Sequence, residues 1–161
     1  MNDILFNFAN KNVLVMGGSK GIGRSICKSF IDASAKSVTS IARTKCDIQH
    51  VANVICDISD NDKLKKALET LIDIDILINV AGTNLCEGID KINDREWDRV
   101  MNTNLKSFFM SIKHFSKFMK VKKYGKIVNV SSIAGRNKSI VSGIHYTASK
   151  HGIIGLTKQS A

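Results

Sequence analysis

The hydrophobic residues of the chain fall into five short runs separated by segments with helical spacing. The runs predict strands at 12–16, 37–41, 51–56, 75–80 and 126–130. The run at 75–80 is almost continuously apolar, which is typical of a strand buried on both faces of a parallel sheet.

Apolar residues three or four apart predict the helices between these strands. One begins in the glycine-rich segment after the first strand, one covers roughly 60–71, and a long one runs from Asp94 to about Lys120. The connection at 44–52 is too short for a crossover helix. Strands that alternate with helices predict an α/β fold, a Rossmann-type doubly wound parallel sheet in a single domain over 1–161.

Composition indicates a soluble globular protein, with 43% hydrophobic and 24% charged residues. No apolar run is long enough to cross a bilayer, and the N-terminus lacks a signal-peptide pattern. The four cysteines show neither a CxxC pair nor metal spacing with histidine, so we expect free thiols and no metal site. These features predict a cytoplasmic protein.

The net charge of +10 raises the alternatives of nucleic-acid or membrane binding. The densest basic cluster, 117–126, falls at a predicted helix end, where the helix dipole favours cations. We therefore interpret it as a solvated face and predict neither a nucleic-acid nor a membrane partner.

The segment Gly-Gly-Ser-Lys-Gly-Ile-Gly at 17–23 lies between the first strand and a helix. Glycines there let the backbone turn tightly and approach a pyrophosphate, while the helix N-terminus offers free N–H groups to its charge. The context favours a dinucleotide-binding loop over a mere glycine-bearing connection.

The position about twenty residues past these glycines, where NAD-binding folds carry an acid for the ribose 2′-hydroxyl, holds no acid. Arg43 stands there instead, and Lys20 lies in the glycine loop. Two bases suit a 2′-phosphate, so we expect NADP(H) to be preferred, with NAD(H) possible. The alternative is two incidental surface bases in a lysine-rich chain.

Three further places in the chain are candidates for cofactor or substrate contacts, and two of them have an alternative structural interpretation. Asp57, followed by Ile58, could accept a hydrogen bond from an adenine amino group or cap the helix that begins near Asp60. Residues 79–82 end a strand with small side chains beside which a ribose could pack. Asn104, on a mostly buried helix, is either satisfied locally or functional.

The candidate catalytic group of the sequence consists of Ser132, Tyr146 and Lys150. On a helix, Tyr146 and Lys150 would leave the same face, and an adjacent ammonium favours the phenolate. A hydroxyl at Ser132 could hold a carbonyl beside that acid. Taken singly, YxxxK also occurs by chance, and a Ser-Ser pair after a strand is often a turn or cap.

Together these motifs resemble those of the short-chain dehydrogenase/reductase family, in its 3-oxoacyl-carrier-protein reductase group. GGSKGIG is similar to TGxxxGIG with Met16 in place of threonine, and NVAG to NNAG with Val80 in place of asparagine. NTNL, VSSIAG and YTASK follow in the family's order.

The resemblance implies a reductase or dehydrogenase acting on a small carbonyl or alcohol, such as a 3-oxoacyl thioester, and a homotetramer or dimer. Tyr146 would be the general acid, Lys150 would lower its pKa and hold the nicotinamide ribose, Ser132 would position the carbonyl, and Asn104 would hold a relay water. The implied cofactor residues are Gly17, Ser19, Lys20, Gly21, Ile22, Gly23, Arg43, Asp57, Ile58, Asn79, Ala81, Gly82, Tyr146 and Lys150.

The sequence stops at Ala161, inside the helix of YTASK, whereas family members continue into two more strands and a segment that closes over the substrate. We therefore expect a sheet that lacks the family's last strands and has an unpaired apolar edge. Two alternatives follow: a truncated oxidoreductase, or an inactive remnant that binds nucleotide or another subunit.

Overall fold

A five-stranded parallel sheet forms the centre of the computed structural model, which describes residues 6–161. The strands are β1 (Asn12–Met16), β2 (Ser37–Ala42), β3 (Val51–Ile55), β4 (Ile76–Asn79) and β5 (Lys126–Asn129). Their spatial order is β3-β2-β1-β4-β5, and every neighbouring pair is parallel. The predicted Rossmann-type sheet is confirmed, with strand ends within one residue of the expected ones.

In the part of the chain that the structure describes, five α-helices cover the sheet, and short 3₁₀ turns lie at Ile89–Lys91 and Ile133–Gly135. They are α1 (Gly21–Asp32), α2 (Asn61–Glu69), α3 (Asp94–Met101), α4 (Ser107–Lys122) and α5 (Ile144–Ser160). As predicted for the connection at 44–52, no helix lies between β2 and β3 within the described chain. There, the Arg24 guanidinium donates to both Asp47 carboxylate oxygens, at 2.6 and 3.1 Å, which ties this loop to α1.

The core divides into two clusters because successive side chains of a strand point to opposite faces. Val13 and Val15 of β1 pack with Cys27 of α1 on one face. Leu14 and Met16 pack on the other face, in a larger cluster that includes Phe108, Phe115 and Ile153 of α4 and α5. Both faces of β1 are therefore fully buried, as a central parallel strand requires.

The long helix predicted from Asp94 is interrupted by a π-helical segment at Asn102–Lys106, between α3 and α4. The hydroxyls of Thr103 and Ser107 bond back to the carbonyls of Arg99 and Thr103, four residues earlier, at 2.7 Å each. Such back-bonding competes with the regular helical ladder, and π segments are frequent at functional sites. The prediction of one regular helix was wrong at this point.

Two glycines of the 17–23 loop are required by close backbone approach. A Cβ on Gly17, whose φ is +94°, would lie 2.7 Å from the Cα of Ala81, and a Cβ on Gly23 would lie 2.1 Å from the Gly17 carbonyl oxygen. The loop therefore packs directly against the segment after β4. Glycine is needed here for contact as well as for conformation.

All four cysteines are free thiols, with Cys27, Cys46 and Cys56 buried and Cys86 exposed. Burial and the neighbouring Cys46 raise the pKa of Cys27 to about 12. Within 6–161, no helix combines the length and apolar character needed to cross a membrane.

We expect Gly23→Ala to lower the free energy of unfolding by about 1–3 kcal/mol, because its methyl group would overlap the Gly17 carbonyl. The matched control is Gly155→Ala in α5, where an added Cβ meets nothing within 4 Å. That change should stabilise by about 0.5–1 kcal/mol, since alanine favours the helix. Urea unfolding measures both, and equal effects would contradict the close packing of the loop.

Candidate active site

A groove of about 610 Å³ lies across the carboxyl ends of the strands. After β3 the chain crosses back over the sheet to β4, so the strand order reverses between β1 and β4. In open α/β sheets this reversal creates the crevice that binds ligands. The groove is lined by Gly17, Ser19, Lys20, Ile22, Gly23, Ile41–Thr44, Cys56–Ser59, Val80–Asn84, Arg99, Thr103, Val130, Ser131, Tyr146 and Lys150.

Twelve of the fourteen predicted cofactor residues line this groove. The two that do not are Gly21, at the turn into α1, and Asn79. Asn79 is fully buried: its amide donates to Asn129 Oδ1 and its oxygen accepts from Ser111 Oγ, both at 2.8 Å. The Asn79 side chain joins β4 to β5 and α4, and the structure does not bring it to the cofactor groove.

The glycine-loop end of the groove presents the N-terminus of α1. Lys20 is its N-cap and makes no side-chain capping bond to it within the described chain, and its first turn carries no acid. Free N–H groups and the positive end of the helix dipole therefore face this end of the groove. Beside them, Thr44 Oγ1 donates to Ser19 Oγ at 3.1 Å. This arrangement suits a pyrophosphate.

Asp57 lines the groove near Arg43. Its carboxylate accepts from the Ser59 backbone N–H at 3.0 Å and from the Ser59 hydroxyl at 2.8 Å. Burial raises the pKa of Asp57, but these bonds and the charges of Arg43 and Lys63 outweigh it, so the pKa lies below its usual value. The cap of α2 is Asp60, which accepts from the Lys63 N–H at 3.1 Å. Of the two readings of Asp57, the helix cap is wrong, and contact with adenine stays a prediction.

Lys150 is the buried cation of the groove, with 4% of its surface exposed. Its Nζ donates to the Val130 carbonyl at 3.2 Å and lies 5.6 Å from the centre of the Tyr146 ring. Burial lowers the pKa of Lys150 to about 8. An ammonium carries three donors, so two remain for groups that enter the groove.

Asn104 lies in the π segment, and its side chain bonds to the loop after β4. Its Oδ1 accepts from the Thr83 N–H at 2.8 Å, and its Nδ2 donates to the Thr83 carbonyl at 2.9 Å and to Ser149 Oγ at 3.0 Å. A methyl group on Gly82 would lie 3.6 Å from Lys150 Nζ and 3.8 Å from Asn104 Oδ1. Asn104 is thus satisfied locally, and its side chain and the Lys150 ammonium both lie close to Gly82. Its role toward a relay water stays a prediction.

The two serines after β5 have separate contacts. Ser131 Oγ lines the groove and donates to the Lys150 carbonyl at 2.8 Å. Ser132 Oγ accepts from the Ala134 N–H at 3.2 Å and so caps the 3₁₀ turn. Ser132 is not among the groove-lining residues. Its capping bond uses only a lone pair, so its hydroxyl proton remains free to donate to a carbonyl.

Arg99 and Thr103 line the groove but were missed from the sequence. Arg99 Nη1 donates to Thr83 Oγ1 at 3.3 Å, while Nε and Nη2 donate to Glu96 at 2.8 and 2.6 Å. The bonds from Arg99 hold the pKa of Glu96 below its usual value. The signal available was the four-residue spacing of Arg99 and Thr103, which places both on one helix face.

The parallel sheet, the glycine loop at its switch point and the groove above it define a Rossmann-type nucleotide-binding protein. Residues 11–161 match the family model described as short chain dehydrogenase, and the chain belongs to that family.

Individual relatives agree with this assignment. The chain is 32% identical over 156 residues to dehydrogenase/reductase SDR family member 6 of Aquarana catesbeiana, covering 94% of this chain and 64% of the relative. It is similar to a 3-oxoacyl-[acyl-carrier protein] reductase of Brucella melitensis with bound NAD, at 31% identity and a TM-score of 0.85, covering 96% and 66% of the two chains. It is also similar to ElxO with NADP bound, at 29% identity and a TM-score of 0.82, covering 94% and 66%. The chain thus spans about two thirds of the length of these relatives.

Lys150→Met should raise the free energy of unfolding at pH 7, because a buried ammonium is costly, and this gain should shrink as the pH rises. The pKa of Lys150 is about 8 in the folded chain and 10.5 ordinarily. At pH values between these two, the lysine is protonated in the unfolded chain but has released its proton in the folded chain. The stability of the parent chain therefore increases with pH across that window.

Urea unfolding of the parent and variant at pH 7 and 9.5 measures the effect. Lys158→Met, at an exposed position of the same helix, is the matched control for the loss of a lysine. An equal gain from Lys150→Met at both pH values would contradict the lowered pKa.

Proposed function

We propose that this chain catalyses hydride transfer between a nicotinamide cofactor and a carbonyl or alcohol substrate. The observation that carries the proposal is the buried Lys150 ammonium beside the Tyr146 ring, in a groove that begins at a dinucleotide-type glycine loop. A phenol and a fixed cation at the nicotinamide end are the groups that proton transfer to a carbonyl oxygen requires.

In the direction of reduction, the bound cofactor supplies the hydride. The Tyr146 phenol gives its proton to the substrate oxygen, and the nearby Lys150 charge stabilises the phenolate that forms. The free donors of Lys150 would hold the hydroxyls of the nicotinamide ribose. The Ser132 hydroxyl donates to the same substrate oxygen, and Asn104 fixes the groove-lining loop at Thr83, which would contact the cofactor.

NADP(H) is the preferred cofactor in this proposal, with NAD(H) as a weaker one. Arg43 and Lys20 both line the groove, and Arg43 stands where NAD-binding relatives of this fold carry an acid. Similar structures hold NAD or NADP, so the preference rests on these two side chains.

The substrate class is a small carbonyl or alcohol, of which a 3-oxoacyl thioester is one member, as for the similar reductase of Brucella melitensis. We further propose a homo-oligomer, a dimer or tetramer, in the cytoplasm, where free thiols such as the buried Cys27, Cys46 and Cys56 stay reduced. An inactive nucleotide-binding remnant is the less supported alternative, because Asn104, Ser132, Tyr146 and Lys150 are all kept.

Arg43→Ala should weaken NADPH binding roughly 10-fold, since it removes a charged partner of the 2′-phosphate. NADH binding should change by less than about 3-fold, because NADH lacks that phosphate. Fluorescence titration of the nucleotide measures both constants, with Lys45→Ala as control, because Lys45 is exposed and does not line the groove. Equal weakening of both nucleotides by Arg43→Ala would contradict the assigned preference.

Tyr146→Phe should lower kcat for NADPH-dependent carbonyl reduction by about 10²–10⁴-fold while leaving NADPH affinity nearly unchanged. The control is Tyr124→Phe, the only other tyrosine in the sequence, which lies outside the groove. Turnover is followed by loss of NADPH absorbance over a panel of ketones and 3-oxoacyl thioesters. Saturable NADPH binding without turnover of any member by the parent chain would favour the inactive remnant.

A further inference from the structure

His145, directly before Tyr146, is a fully buried histidine that the proposed reaction does not use. Its Nδ1 accepts the backbone N–H of Tyr146 at 3.0 Å. Helix α5 begins at Ile144 after Gly143, which has no side chain to cap it. The Tyr146 N–H lies in the first turn, where a helix offers its amides no internal acceptor. The imidazole therefore satisfies an otherwise unpaired amide of the proposed general acid.

This bond selects the tautomer of a neutral ring. A ring nitrogen that accepts a hydrogen bond carries no hydrogen itself, so the neutral ring carries its hydrogen on Nε2. Nε2 has no hydrogen-bond partner among residues 6–161 and lies 3.9 Å from Glu96 Oε1. The negative charge of Glu96 favours the tautomer with hydrogen on that side.

Packing holds the imidazole in place on two further sides. The ring of Trp97 stacks on it, with centroids 6.5 Å apart and planes 25° from parallel. A Cβ on Gly143 would lie 2.5 Å from its Cε1. Glu96 is itself held by Arg99, which also contacts Thr83 in the groove. One set of contacts thus joins the loop after β4 to the backbone of Tyr146.

We propose that His145 is a positioning residue: its Nδ1 anchors the first turn of α5 and thereby sets the place of the Tyr146 phenol over the groove. Its catalytic consequence rests on the proposed function, whereas the contact itself does not. Small displacements of an acid from its reacting atom are costly in rate. The residue should therefore affect kcat more than cofactor affinity.

Two substitutions separate the two ring nitrogens. His145→Asn places its side-chain oxygen near the position of Nδ1, so it can still accept the Tyr146 N–H. His145→Gln reaches instead toward the position of Nε2 and Glu96. Both are polar and uncharged, so they form a matched pair that differs in which contact is kept.

The first measurement is amide hydrogen exchange at Tyr146, monitored by NMR on the ¹⁵N-labelled 161-residue chain. The melting temperature of each protein is measured alongside. We expect Tyr146 to be protected in the parent and in His145→Asn, and protection to fall about 10-fold or more in His145→Gln, which lacks the acceptor. Unprotected Tyr146 in the parent, or equal loss in both variants, would overturn the proposal.

The second measurement is NADPH-dependent carbonyl reduction by the same three proteins. We expect kcat to fall about 10–100-fold in His145→Gln and less than about 3-fold in His145→Asn, with KM for NADPH within about 3-fold throughout. Equal kcat values in the two variants would refute the positioning role. If the parent turns over no substrate, the proposed function fails, and the exchange experiment alone decides whether His145 holds Tyr146.

Discussion

The buried ammonium of Lys150 is the constraint on which the rest of the site depends. A charge with so little exposure is costly unless hydrogen bonds and nearby dipoles offset the loss of water. The protein supplies only the Val130 carbonyl as a direct partner within 6–161, and burial correspondingly lowers the pKa of the amine. The fold thus leaves two donors of this cation for groups that enter the groove. A ligand with ribose hydroxyls would accept hydrogen bonds from the Lys150 ammonium. Its binding would therefore offset part of the free-energy cost of burying that charge.

Polar contacts, more than apolar packing, set the position of helix α5. Of its buried residues only Ile153 is apolar, while His145, Ser149 and Lys150 are polar or charged. Two of these three bond to groups outside the helix: Ser149 accepts from Asn104, and Lys150 donates to the Val130 carbonyl. His145 instead accepts the Tyr146 N–H within the helix. Ser131 adds a bond to the Lys150 carbonyl. Hydrogen bonds are directional, whereas apolar contact is not, so this set fixes the rotation of the helix as well as its distance from the sheet.

The sheet was predictable because buried strands appear in the sequence as short runs of apolar residues. All five strands and the absence of a crossover helix between β2 and β3 followed from the hydrophobic pattern. The sequence did not predict which residues line the groove where a side chain can point either into the groove or away from it. Asn79 ends a strand beside the groove but turns inward to Asn129 and Ser111. Arg99 is an ordinary helix residue in sequence, and only the approach of α3 to the loop at Thr83 brings it to the groove. The π segment left no trace in the apolar spacing, because the contacts that accompany it are polar: Thr103 and Ser107 bond back to helix carbonyls, and Asn104 bonds to Thr83.

The π segment at Asn102–Lys106 has a further geometric effect. Each residue of an α-helix turns the chain by about 100°, so one residue inserted into the spiral rotates everything beyond it by that angle relative to everything before it. The half before the insertion presents Arg99 to the groove, and the half after it presents Phe108 and Phe115 to the core. A single regular rod of the same length could not keep both orientations. If one residue were removed from the segment, Arg99 could face the groove or Phe108 and Phe115 could face the core, but not both. The length of this stretch therefore constrains the chain independently of which side chains it carries.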